Sequence, residues 1–373
     1  MKKIIFNKLF IDISVFFLIC SITLTLIVWI LQAVNFLDIV SEDGHGLLTY
    51  FSFTSLNLPK IFNKLLLLSI YLSIFYILSN YEEKNQLVIF WINGISKSKF
   101  LNSIISFSII FLLISLSISF YIVPYTQNKA RSFIRSSNLD FFPSLIKPRK
   151  FIDTVENFTI FLDSKDNQDI KKILIKDSSN ISNTQLIVSK YGNITNDETN
   201  KFLQLEKGVI INFSNDNLTS FNFEKTNIDL SQYQTKTTTA PKIQEIKSQK
   251  IIKCISLLLK NRNTNINISD LSCNNSFYKN LVQELYKRTV LPLYIPLLFI
   301  IASFLILKSK NNLNYRLFKI KIFLSGIFVV IFSQISVNLV SKNNFMSLTM
   351  IITPILLMII SYLIFLNKTR SSS

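Results

Sequence analysis

Six apolar runs, at about residues 11–34, 59–79, 101–123, 289–307, 320–340 and 345–366, constrain this chain more than any other feature. Each approaches or exceeds the roughly 20 residues that an α-helix needs to cross the hydrocarbon of a bilayer. Inside lipid every backbone N–H and C=O must be satisfied within the segment or its closed neighbours, so runs of this length read as spanning helices. The mean hydropathy of +0.38 agrees, and the apolar residues are too unevenly spread for a soluble chain. The first run follows Met1, Lys2 and Lys3 and resembles a secretion signal at first sight. It outruns the ~7–15-residue apolar core of such a signal and no small-residue cleavage site follows, so it reads as a retained span.

Orientation comes from lysine and arginine in the short loops, because long domains cross regardless of charge. Lys2, Lys3, Lys8, Lys84, Lys97, Lys99, Lys308, Lys310, Arg316, Lys319, Lys321, Lys368 and Arg370 fall on one side. Only Lys60, Lys64 and Lys342 fall on the other. Both termini are therefore expected in the cytoplasm. The long block from Pro124 to about Tyr286 is expected outside, in the periplasm of a cell with two membranes. The division is 1–123 for a first membrane half, 124–285 for a periplasmic domain with flanking helices, and 286–373 for a second membrane half.

A formal charge of +18 raises the question of nucleic acid. The basic residues form no stripe and no aromatic-interleaved patch, and they sit at the ends of apolar runs and through a polar middle, so no nucleic-acid partner is expected.

From about Phe151 to Leu230 the period falls to two. The segments 158–164, 170–177, 184–192, 202–208, 209–213 and 219–230 alternate apolar and polar residues, with Asn, Asp, Ser or Gly between them. Gly192 and Gly208 are expected at turns with positive φ. Short antiparallel strands in this number argue for a sandwich, jelly roll or open barrel. The fold class expected is thus an α-helical polytopic membrane protein, six spans as 3+3, with an inserted jelly-roll-like all-β domain. Its edges suit docking of another strand.

Nothing in the block looks catalytic. The single histidine, His45, excludes a His-rich metal site, and Asp163, Asp166 and Asp169 lack the glycine and closing glutamate of a calcium loop. No cofactor is expected. Cys254 and Cys273 share the oxidising side and are able to close a loop, but two cysteines do not make a framework. Beyond Pro241, residues 242–259 place Ile243, Ile246, Ile251, Cys254, Ile255 and Leu258 on one helical face. In the next helix Glu284 and Arg288 are spaced to pair.

Between the second and third runs lies YEEKNQLVIFWINGISKSKF, residues 81–100. It opens on Glu82 and Glu83, runs apolar from Leu87 to Ile92, and breaks at Gly94. A connecting loop needs only a few polar residues, so this segment reads as a helix lying against something. No G-x-x-x-x-G-K-[ST] occurs anywhere, so the chain has no phosphate cradle of its own and any ATP-driven work enters from a partner. Leu87, Val88, Trp91, Ile92 and Ile95 recur at three- and four-residue spacings and fit a partner's groove. They equally fit an interfacial helix in the headgroups with Trp91 as its anchor.

Three spans, an outer β-domain and three more spans resemble the lipopolysaccharide-export permeases, the YjgP/YjgQ family, over essentially the whole chain. WILQAVNFLDIVSEDG (29–44) is similar to the exit of the first span in the F-type subunit. LIVSKYGNITNDETNKFLQLEKGVI (186–210), through Leu203, Leu205 and Gly208, is similar to the family's small-domain signature. ELYKRTVLPLYIPLL (284–298) resembles its charged entry to the fourth span. The resemblance implies a non-catalytic subunit that pairs with a homologous G-type permease and a dimeric cytoplasmic ABC ATPase. Together they would lift lipopolysaccharide from the inner membrane of a Gram-negative cell and hand it to a single-span periplasmic bridge protein through a β-edge. Spans one and five would be lateral gates. Residues 81–96 become the coupling helix, with Glu82, Glu83, Gln86, Leu87, Val88, Trp91, Ile92 and Gly94 meeting the ATPase. Where the family usually carries a glutamate eight residues before its glycine and an arginine three before it, this chain has Gln86 and Trp91.

Few charges lie within the spans, so no proton relay is expected. Lys60, Lys64, Lys129, Arg131, Lys287 and Arg288 gather at the outer rim, where they suit lipid phosphates or merely anchor the spans. Two other readings compete. One is a membrane scaffold or sensor, although the longest cytoplasmic piece is only about 20 residues. The other is a lipoprotein-release permease, although those usually have four spans.

Overall fold

The computed structural model describes residues 2–37, 47–136, 148–155, 158–166, 169–180, 183–196, 201–214, 217–229, 242–260, 266–268, 271–273, 275–340 and 344–370. His45 and the exit of the first span from Asp38 to Gly44 lie outside them. The chain folds as two compact units: Met1–Leu31 with Asn57–Asn128 and Lys242–Ser373, and Gln32–Leu56 with Lys129–Pro241.

Among the described residues, six helices are long and apolar enough to cross a membrane: Lys2–Asn35, Leu47–Glu83, Lys97–Ile134, Tyr278–Leu307, Tyr315–Leu339 and Met346–Arg370. The expected 3+3 arrangement around a β-domain is what the structure contains. The elements used below are α1 (Lys2–Asn35), α2 (Leu47–Leu56), α3 (Leu58–Glu83), α4 (Leu87–Ile92) and α5 (Lys97–Ser117). A π-turn at Ile118–Ile122 passes α5 into α6 (Val123–Ser136).

After the sheet come α7 (Ser248–Lys260), α8 (Asn275–Thr289), α9 (Tyr294–Ser303), α10 (Tyr315–Leu339) and α11 (Asn344–Arg370). Pro292 has no N–H for a continuous ladder, and the fourth span tightens to 3-10 geometry at Leu291–Leu293 between α8 and α9. α9 is apolar all round and almost wholly buried, packed by α3, α5, α10 and α11, as the innermost helix of a bundle must be. α1, α10 and α11 instead turn large apolar residues outward, among them Ile11, Leu18, Leu324, Phe328 and Leu363. Such faces suit hydrocarbon or another apolar helix.

Arg288 is 2 % exposed and Glu284 is 9 % exposed, so the pair expected from their spacing is buried. Cys254 of α7 is disulfide-bonded to Cys273, which ends the short hairpin Ile266–Ile268 with Leu271–Cys273. Both sulfurs sit in an apolar cluster with Ile246, Ile251, Leu258 and Leu281.

Among the described residues the β-unit is one antiparallel sheet, β1 (Ile152–Val155), β2 (Phe158–Asp166), β3 (Asp169–Asn180), β4 (Asn183–Asn196), β5 (Lys201–Ser214) and β6 (Asn217–Asp229). Its order is β1-β2-β3-β4-β5-β6, a meander in which sequence neighbours are spatial neighbours. The jelly-roll expectation is corrected here, because a jelly roll needs Greek-key crossings between two sheets and this order has none.

The ladder skips one pair in every strand from β2 to β6. Pairing jumps from Leu162↔Ile173 to Ser164↔Lys171, and from Ser189↔Gly208 to Tyr191↔Glu206. The skipped residues Asp163, Lys172, Lys190, Lys207 and Glu224 form one line across the sheet. On it Lys172 and Lys207 adopt φ of 53° and 54°. The pairing register is the same on both sides of this line, yet the parity of the inward residues changes across it. Ile170 and Ile173, three apart, are both buried. One core results, with Ile160, Leu162, Ile173, Ile175 and Ile187 from one half and Ile170, Leu203 and Leu205 from the other. A bent meander thus encloses what two sheets would enclose in a sandwich.

The two strand glycines are not turn residues, which corrects the second sheet expectation. Positive φ among described glycines occurs at Gly94 alone. A Cβ on Gly192 would meet Ile173 at 2.3 Å, and one on Gly208 would meet the Val188 carbonyl at 2.3 Å. Both are sites of close approach beside the bend. With Gly208 extended, the segments 202–208 and 209–213 are the single strand β5.

Candidate functional site

α4 is held between two helix terminations of one kind. At the end of α3, Asn85 takes φ of 58°, its N–H donates to the Glu82 carbonyl at 3.1 Å, and the Gln86 N–H donates to the Tyr81 carbonyl at 2.8 Å. At the end of α4, Gly94 takes φ of 69°, its N–H donates to the Trp91 carbonyl at 3.0 Å, and the Ile95 N–H reaches the Phe90 carbonyl at 3.1 Å. These are two Schellman motifs in series, each with a left-handed residue of a type that tolerates it. The second carries its usual apolar clasp, since Phe90 and Ile95 are both buried. Ser96 then caps α5, its side-chain oxygen accepting from the Lys99 N–H. A six-residue helix cannot hold itself in water, so these caps and the packing below fix α4.

That packing is aromatic. Phe90 makes edge-on contacts with Phe6 of α1 at 5.3 Å and with Phe100 of α5 at 5.0 Å. Trp91 lies half-buried 5.7 Å from Phe100. Leu87 and Ile95, expected on an outward face, are turned into the subunit at 0 % and 5 % exposure. The face left outside is Val88, Ile89 and Ile92, the last 79 % exposed. Ile89 stands three residues from Ile92, a helical spacing, but six residues cannot fix the phase of a helix.

The carboxylates beside α4 are engaged within the chain. Glu82, 8 % exposed, accepts the Lys310 N–H at 2.9 Å. Glu83 takes the Lys319 ammonium at 2.6 Å and the Ser79 hydroxyl at 3.2 Å. The Lys310 side chain donates to the Glu83 carbonyl at 3.0 Å. One helix away, the Tyr81 hydroxyl donates to Asp12 at 2.6 Å, and Asp12 also pairs with Lys8 at 3.1 Å. The partners Lys310 and Lys319 lie more than 220 residues from α3, beyond the reach of any local pattern.

At the other end of α3, Lys60, Asn63 and Lys64 line a cavity of about 240 Å³ with Ser115, Glu284, Lys287, Arg288 and Gln334. Arg288 spends its donors on the protein. Nε reaches Glu284 at 3.0 Å, Nη1 reaches the Ile246 carbonyl at 2.8 Å and the Ser248 hydroxyl at 2.9 Å, and Nη2 reaches the Gln244 carbonyl at 3.1 Å. Lys287 stands 3.8 Å from Glu284. No hydrogen bond or ion pair is made by the side chains of Lys60 or Lys64 among the described residues. Lys129, exposed, and Arg131, half-buried, lie on α6 and belong to the other compact unit. The structure therefore brings four of the six expected rim residues to one cavity.

Residues 9–368 match the family model described as lipopolysaccharide export system permease LptF/LptG. No curated protein matches the chain.

Proposed function

Because the chain belongs to the LptF/LptG family of lipopolysaccharide export system permeases, we propose that it is the inner-membrane permease subunit of an ABC exporter, closest to the F type. It pairs with a G-type permease and takes its motion from a dimeric cytoplasmic ATPase at α4. It passes lipopolysaccharide through the β-unit to a periplasmic bridge protein.

One observation carries the reading. A chain without a nucleotide-binding loop holds a short helix rigidly by two caps and an aromatic bed, and leaves Val88, Ile89 and Ile92 bare. Three apolar side chains on a fixed platform are what a groove on an ATPase needs. The loss of charge at Gln86 and Trp91 makes this contact more apolar, and so less salt-sensitive, than an ion pair would be. Lys60 and Lys64, in their cavity, suit the phosphates of the lipid. Long cationic stems at a span's end reach the headgroup level while their methylenes stay in lipid.

The test is co-purification from detergent with the ATPase and the second permease, followed by hydrolysis measured with added lipopolysaccharide. Wild type should bring the ATPase down and respond to lipid. Val88→Glu with Ile92→Glu should cut recovered ATPase by at least about tenfold, as for a contact hot spot. It should leave insertion and thermal stability unchanged, since both side chains point away from the fold. Full recovery of ATPase by the double variant would move the contact elsewhere. No ATPase on wild type would favour the scaffold reading.

A further inference from the structure

We infer that Glu83 and Lys319 form the joint through which displacement of α4 enters α10, making them positioning residues of the transport cycle. The inference rests on the reading of α4 as the site where the ATPase docks.

The geometry sets α4 and α10 on one support. Glu83 is the last residue of α3, immediately before the capped turn that presents α4. Its carboxylate binds the Lys319 ammonium of α10 at 2.6 Å. Its neighbour Glu82 accepts the Lys310 N–H, and the Lys310 ammonium returns to the Glu83 carbonyl. Three contacts therefore lie within two residues of α3, and all of them reach α10 or the segment just before it. Lys308 adds a cation over the Phe318 ring at 5.0 Å, fixing that segment against the first turns of α10.

A second grip prevents α10 from sliding free. Tyr71, about three turns along α3, donates its hydroxyl to the Ile322 carbonyl at 2.7 Å. Gly326 makes the approach possible, because a Cβ there would lie 2.0 Å from a Tyr71 ring carbon. Near its far end, α10 meets α8. Ser336 shares a hydrogen bond with Tyr286 at 2.9 Å, and Asn338 accepts from Gln283 at 3.1 Å. Along its length α10 shows an apolar stripe, Leu317, Ile320, Leu324, Phe328, Ile331 and Ile335, all exposed. A helix rises 1.5 Å per residue and bends little unless its ladder is broken, so a push at Lys319 travels its length.

An exposed ion pair adds little to stability, and Glu83 is 56 % exposed. The pair's role is then geometric: it sets where α10 sits relative to α4. Charge, rather than shape, carries that role.

The test uses the assembled complex in lipid nanodiscs, with lipopolysaccharide release and ATP hydrolysis measured together. Glu83→Lys and Lys319→Glu should each lower lipid released per ATP by roughly threefold to tenfold, within the roughly twofold to thirtyfold by which single changes alter coupling between linked sites. In the Lys319→Glu complex, recovered ATPase and unstimulated hydrolysis should stay at wild-type level. The exchanged pair Glu83→Lys with Lys319→Glu should restore most of the lost coupling, an outcome that a general packing defect would not give. Normal release per ATP in the single variants, or no rescue in the exchange, overturns the joint. Loss of ATPase from the Glu83 variant alone also overturns it, by making Glu83 a direct contact. Failure of wild type to bind the ATPase strikes the docking reading instead, before any variant is made.

Discussion

The two ends of α3 treat charge in opposite ways. At the α4 end, Glu82, Glu83 and Asp12 each hold a partner of this chain, and that partner comes from another helix or segment for both glutamates. At the Leu58 end, Lys60 and Lys64 line an open cavity with no hydrogen-bonding partner among the described residues. A charge at a membrane boundary costs free energy to hold in place, and a chain spends that cost on one of two things. Internal pairing fixes geometry. Unspent charge at a cavity wall is available to a ligand. On the proposed function, the first end keeps its shape while something pushes on it, and the second receives.

Arg288 breaks the simple form of that contrast, and gives the largest expected effect. It lines the receiving cavity, yet its guanidinium is consumed by Glu284, Ser248 and the carbonyls of residues 244 and 246. Arg288→Ala leaves a buried carboxylate and several carbonyls without donors, which costs about 3–5 kcal/mol for a broken buried pair. The expected result is a large fall in detergent thermal stability and in membrane yield. Arg288→Lys should recover only part, since a point charge cannot reproduce the planar fork. A stable, fully expressed Arg288→Ala protein would mean that the cavity cations are all of one kind.

Lys60→Gln with Lys64→Gln gives the converse outcome. Stability should move within about 0.5 kcal/mol, the usual range for surface changes that break no buried contact. Hydrolysis stimulated by lipopolysaccharide should fall severalfold in the complex, as phosphate contacts are lost. An unchanged lipid response would reduce these lysines to anchors of the span. The contrast between the two ends of α3 would then be one of spacing and not of function.

The spans were legible because a run of ~20 apolar residues permits few other structures. The Gly94 break was legible because glycine before a new polar run ends helices. What escaped the sequence was long-range pairing. Nothing near Glu83 in sequence announces Lys319, and nothing near Tyr71 announces Gly326. The phase of α4 also escaped, since Leu87 and Ile95 satisfy a helical spacing as well as Ile89 does, and the aromatic bed chose among them. In the sheet, alternation located the strands but could not show that every strand would slip parity on one line. Gly192 and Gly208 read as turns by composition, although their role is to let a side chain and a carbonyl come close.

The smallest effect tests whether spent charge matters where water is plentiful. Asp163 lies on the bend of the sheet, with the Lys172 ammonium at 3.1 Å and the Arg149 guanidinium at 3.6 Å. Lys172 first, by hydrogen bond and charge, and then Arg149 hold its carboxyl below the usual aspartate range. A folded pKa below the unfolded one means that the contribution is present above the unfolded value of about 3.9 and is lost as pH falls through the folded value. Hydrogen exchange of β2 and β3 in the whole protein should thus be slightly faster for Asp163→Asn at neutral pH and low salt. The two proteins should converge as the pH drops through the acid range, and also in high salt, where an exposed pair is screened. A difference that persists in acid or in high salt would show that Asp163 holds the bend through shape. The sheet would then differ from the α4 end of α3, where a charge pair sets the geometry.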